Sequence, residues 1–136
     1  MALLDRKRLL EKEKLDVVKV DLSKDEFIYV RQMTGAERDM FERSLYVVDK
    51  ENKVSTRLEN FRAKLAVCTI CDDKGNLLLL PEDVNMLSKN MSAAKLEKIV
   101  NVAQKLNAIT EEDKEALTKN SSVGQADNSS SGSVSN

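Results

Sequence analysis

The chain contains no histidine and no tryptophan, a single proline, two cysteines and four glycines. Without histidine it lacks the commonest general base, proton shuttle and metal ligand, so chemistry near neutral pH would fall to carboxylates and thiols. Aromatics are scarce too, at 4%, while charged residues reach 33%. That balance predicts a thin core beneath a wide solvated surface, a state usually stabilised by a partner or by self-association. Excess charge of either sign is also missing, since 22 basic residues meet 23 acidic ones. Nucleic-acid binders draw most of their non-specific affinity from a basic excess, so DNA and RNA are excluded as expected partners. Long apolar runs are absent. The opening Met1 to Leu10 sets Leu3-Leu4 and Leu9-Leu10 around a charged middle, which is neither a signal peptide nor a membrane span. The expected location is therefore the cytoplasm.

A length of 136 residues suits one domain. Residues 1–120 carry the folding signals. Residues 121–136, with seven Ser, two Gly and one charge, cannot bury enough to offset the entropy of ordering and are expected to form a flexible tail. The folded part is close to neutral, which favours self-association over repulsion.

Within residues 1–120 the pattern is α+β and helix-rich, an antiparallel β-hairpin followed by four or five α-helices. Met1 to Lys14 is a weak, highly charged helix candidate. Asp16 to Leu22 places Val18, Val20 and Leu22 at period two, a strand signal. A polar four-residue link, Ser23 to Glu26, leads to Phe27 to Met33, rich in β-branched and aromatic residues, and so short a link predicts a hairpin. Thr34 and Glu37 have capping-box spacing. From there Met33, Ala36, Met40, Phe41, Ser44, Leu45 and Val48 trace one helical face, with a loop at Asp49 to Ser55. Arg57 to Cys71 carries the stripe Leu58, Phe61, Leu65, Cys68 and should be the most buried helix. Asp72 to Asn76 predicts a turn with Gly75 at positive φ, and Leu77 to Leu80 a short strand. Pro81 with Glu82 and Asp83 marks a helix start. Ser92 caps a helix with Leu96, Ile99, Val100, Ala103 and Leu106 in register, and Thr110 opens a last short helix ending near Asn120.

Candidate chemistry is sparse. Cys68 and Cys71 form a CxxC, but zinc needs about four ligands and there is neither a second pair nor a histidine. The pair closes its expected helix rather than opening it, so it lacks the dipole that activates redox thiols, and buried core cysteines are the expectation. Asp72, Asp73 and Asn76 resemble the start of a calcium loop, but Leu77 stands where the glycine belongs and Asp83 where the bidentate Glu belongs. Gly35 sits at a strand-to-helix junction without a phosphate-loop motif and is assigned to tight junction geometry. No catalytic residue, metal or cofactor is expected, and no enzymatic activity. Phe27, Tyr29, Met33, Phe41, Tyr46 and Phe61 crowd the first half of the chain. Because an isolated hairpin leaves open edges, Phe27, Tyr29, Met33 and Phe41, together with Leu77, Leu78 and Leu79, are candidate partner-binding residues.

Phe27 to Leu45 (FIYVRQMTGAERDMFERSL) resembles the tail assembly chaperones of long-tailed bacteriophages. Their strand ends in an R-x-M-T/S-G step and their helix opens with A-E-R-D, matched here by Met33, Thr34, Gly35, Ala36, Glu37, Arg38 and Asp39. Glu59 to Lys89 and Lys95 to Asn120 continue the family-like order. The resemblance implies a protein made in the infected cell that coats and solubilises the tape measure protein, an extended helical polypeptide, and is absent from the finished virion. It also implies a frameshifted longer form that recruits tail tube protein. Two other readings remain open at this stage: a minor tail or head-tail connector protein retained in the particle, and a small regulatory enzyme or metal switch built on Cys68 and Cys71.

Overall fold

The computed structural model describes residues 1–56, 59–110 and 112–113. Leu58 of the expected stripe, the expected helix end at Asn120 and the Ser-rich segment 121–136 lie outside the described residues. The fold is α+β. A short helix α1 (Arg6–Leu10) precedes β1 (Val17–Asp21) and β2 (Phe27–Arg31), which pair antiparallel with Val18 opposite Val30 and Val20 opposite Ile28. Then come α2 (Gly35–Arg43), β3 (Tyr46–Val48), β4 (Val54–Thr56), α3 (Phe61–Thr69), β5 (Ile70–Cys71), a 3-10 turn at Pro81–Asp83, α4 (Val84–Asn90) and α5 (Ala93–Leu106). β5 joins the hairpin on its β2 side, giving the order β1-β2-β5.

Burial explains the layering. On one face of this sheet lie Val20, Ile28, Val30 and Ile70, against which α5 packs, with α3 packed in turn on α5. Leu65, Ile99 and Ala103 are fully enclosed between them, and Phe41 meets Phe61 edge to face at 5.6 Å. As its near-continuous apolar run predicts, α3 is deeply buried, with Ala63, Leu65, Ala66, Val67 and Thr69 all inside. Caps set the helix starts. Thr34 and Glu37 form the complete capping box, and the Ser92 hydroxyl accepts from the Lys95 N–H at 3.2 Å. Gly75 takes φ 86°, as the Asp72–Asn76 turn requires.

Five expectations need correction. The leading helix spans only Arg6–Leu10 and buries nothing. Val18 is half-exposed, although Val20 on the same face of the same edge strand, and Leu22 after it, are buried. The helix expected to reach Val48 stops at Arg43, and Tyr46–Val48 pairs with Val54–Thr56 as a second hairpin, which takes Val54 and Ser55 out of the expected loop. The Asp49 carboxylate builds the turn between them, accepting from the N–H groups of Glu51 and Lys53 at 2.8 and 2.9 Å. The β-branched pair Val47-Val48 beside a turn-forming Asp-Lys-Glu-Asn was the signal, hidden because Leu45 and Val48 also fit a helical stripe. Cys71 lies in β5 rather than in α3, whose end is marked by the Thr69 hydroxyl donating to the Leu65 carbonyl at 2.8 Å. Finally, Leu77 to Leu80 forms no strand. Leu77 makes one bridge to Cys71, and Leu79 alone packs on the core.

Ile99 is fully enclosed where α5 crosses α3 and the sheet. Truncation to Ala is expected to cost about 2–4 kcal/mol, lowering the melting temperature by at least about 8 °C in calorimetry. A loss under about 2 °C would mean that the core closes elsewhere.

Candidate functional site

The residues resembling a family motif sit where the hairpin hands over to α2, and their first duty is architectural. Met33 is buried. The Thr34 hydroxyl accepts from the Glu37 N–H at 3.2 Å, and the Glu37 carboxylate accepts from the Thr34 N–H at 2.9 Å. The same carboxylate receives Nη2 of Arg31 at 2.6 Å. Arg31 is almost wholly enclosed, and its Nε finds no hydrogen-bond partner. Burial alone would raise the Glu37 pKa, but the Thr34 N–H and the Arg31 guanidinium outweigh it, so the carboxyl lies below its ordinary value.

α5 closes the junction from the far end of the chain. The Asn107 side-chain oxygen accepts from the Met33 N–H at 2.6 Å, and its backbone carbonyl accepts from Arg38 Nη1 at 2.7 Å. Arg38 also reaches Glu42 at 3.2 Å. Ala36 and Asp39 are exposed. Gly35 does not meet the expectation of tight geometry. Its φ is not positive, and a Cβ placed there would find no atom within 4 Å.

The partner-binding candidates divide. Strand alternation puts Phe27, Tyr29 and Arg31 on the sheet face opposite the core, with Val17, Lys19 and Asp21 of β1 beside them. Phe27 is 52% exposed and stands edge to face with Tyr29 at 5.7 Å, while Lys19 Nζ lies 4.5 Å from its ring centre. Met33 and Phe41 are core residues, out of a partner's reach, and leave the contact set. Leu77 and Leu78 are exposed, whereas Leu79 turns inward. The structure adds Leu80 and Met86 to the exposed set. Leu80 was legible from its neighbour, since the residue before Pro81 is biased to an extended conformation. An open, largely charged depression of about 1730 Å³ is lined by residues 11–16 and Val17 of the leading segment together with Arg31, Thr34, Glu37 and Leu77.

Burial pushes both thiols up, Cys68 in the last turn of α3 and Cys71 in β5, which is opposite to the activation a redox pair needs. Among the described residues no group of three or more potential metal-binding side chains converges. Asp72 builds its own turn, accepting from the N–H groups of Lys74 and Asn76 at 2.8 and 2.9 Å. No described helix is long and apolar enough to cross a membrane. Compared with protein-family models, with curated proteins and with solved structures, the chain matches none.

Two predictions concern the junction. A depressed folded pKa contributes stability above the unfolded value, about 4.3 for Glu, and loses it as pH falls through the folded pKa. The wild-type melting temperature should therefore drop more steeply below about pH 4.3 than that of Glu37→Gln, which keeps hydrogen-bonding capacity but does not titrate. Parallel curves would remove the ion pair from the account. Gly35→Ala, at an uncrowded helical position, should be neutral or stabilising by up to about 1 kcal/mol in urea unfolding, and a loss of that size would restore the steric role.

Proposed function

We propose that this chain is a tail assembly chaperone of a long-tailed bacteriophage, acting in the host cytoplasm by covering apolar stripes of the tape measure protein. The observation that carries the reading is the order of three stretches, Phe27–Leu45, Glu59–Lys89 and Lys95–Asn120, each resembling that family and together covering most of residues 27–120. Its motif residues also serve as ordinary helix punctuation, so the weight rests on their sequence-long order rather than on any one of them.

The surface is compatible with that role. Phe27, set edge to face with half-buried Tyr29, and Leu77 with Leu78 expose apolar side chains, and a coat of many copies needs only modest contacts from each. In this reading the client is an amphipathic helix, recognised through its apolar stripe. A longer frameshifted form would bring tail tube protein, and the chaperone would leave before the particle is complete. Nucleic acid and membrane play no part.

Co-expression with the tape measure protein of the same genome is the test. Soluble tape measure protein should increase at least several-fold and co-purify with the chain, and Phe27→Asp or Leu78→Asp should each reduce recovery while leaving the circular dichroism spectrum intact. Failure of the wild-type chain to solubilise or retain the tape measure protein would end the reading. Detection of the chain in purified virions by mass spectrometry would favour a structural tail or connector role instead.

A further inference from the structure

The leading segment is built to be covered, yet nothing described covers it. α1 is five residues long, too short to persist in water without a surface to lie on. It is nevertheless capped at both ends: the Asp5 carboxylate accepts from the Arg8 N–H at 3.0 Å, and the Glu11 N–H donates to the Arg8 carbonyl. Arg6, Leu9 and Leu10 share one face by their i, i+3 and i, i+4 spacing. That face is open, with Leu10 68% exposed and Leu9 similar.

A second surface carries the complementary features. Leu78, Leu80 and Met86, at 58, 57 and 68% exposure, are the exposed apolar side chains of one stretch that ends on α4, where Leu79 and Val84 are half-buried. Glu82 precedes Met86 by one helical turn and is itself exposed. Charge pairs the two regions: Met1 to Leu10 holds Arg6, Lys7 and Arg8 against Asp5 alone, while Asp72 to Met86 holds Asp72, Asp73, Glu82 and Asp83 against Lys74 alone. Neither region has a described salt bridge to the other.

We infer that the occupant of the Leu78–Leu80–Met86 patch is the α1 arm of a second copy of this chain. Leu9 and Leu10 lie on the leucines, and Arg6 meets Glu82 at the edge. Reciprocal exchange gives a two-fold pair with two identical contacts, each covering apolar surface that both copies otherwise expose. Both elements are surface features, so the exchange leaves the core of each copy intact. The inference does not depend on what client, if any, the chain binds.

Sedimentation of the full chain tests it. Wild-type mass should rise with concentration towards twice 15.3 kDa, and Leu10→Asp and Leu80→Asp should each weaken pairing at least tenfold with unchanged circular dichroism. Arg6→Glu and Glu82→Arg should each weaken it too, and joining the two changes in one chain should recover it. For connectivity, a mixture of Leu10→Cys and Leu80→Cys chains should oxidise to a two-chain disulfide that wild type does not form. A monomer at every concentration, or pairing indifferent to both Asp variants, would overturn the inference. So would a Leu10→Cys/Leu80→Cys double variant that closes its disulfide within one chain, because the arm would then fold back on its own patch.

Discussion

The fold turns on a single carboxylate. Glu37 caps α2, holds the N–H of Thr34, and neutralises Arg31 at the end of β2. Arg31 needs that partner because it is almost wholly enclosed, and an enclosed guanidinium without a counter-charge costs several kcal/mol. One side chain thus fixes where the strand ends, where the helix begins and the angle between them. Asn107 locks the arrangement from α5 by accepting the Met33 N–H, while its carbonyl receives Arg38. The hairpin, the second helix and the last described helix meet at this point, which lies on the rim of the layer that α3 and α5 bury.

Such a junction accounts for why the residues from Met33 to Arg38 look like a motif. Each hydrogen bond there is made by a particular side chain at a particular offset, so the pattern is demanding without involving any ligand. Gly35 is the exception, because nothing around it requires a missing Cβ. In the proposed chaperone role, client contact therefore falls to other surface: exposed Phe27 beside half-buried Tyr29 on the outer sheet face, and the leucines beyond the Asp72 turn.

Elements whose signals are local were legible in the residues. The first hairpin followed from alternation and a short polar link, the Thr34–Glu37 cap from spacing, and α5 from its apolar register after Ser92. What escaped depended on distant partners. β5 is two residues long and becomes a strand only because β2 offers an edge, so Ile70 and Cys71 carry no strand signal of their own beyond a continuing apolar run. Tyr46–Val48 fitted two periods at once, and its pairing with Val54–Thr56 decided between them. The contact candidates were split by the same kind of information. Phe27 and Phe41 are alike in sequence, but the sheet turns one outward and α3 covers the other with Phe61. Arg31 would have passed for a solvated cation, since only the packed junction encloses it.

The bond between Met33 and Asn107 spans 74 positions of chain. Synthesis delivers the hairpin and α2 first, and α5 long afterwards, so the underside of β2 must wait for its last wall. Closing so long a loop is entropically costly and tends to come late. During translation the leading half is therefore a partly assembled sheet with an open apolar underside, and full closure belongs to the interval after residue 107 has left the ribosome.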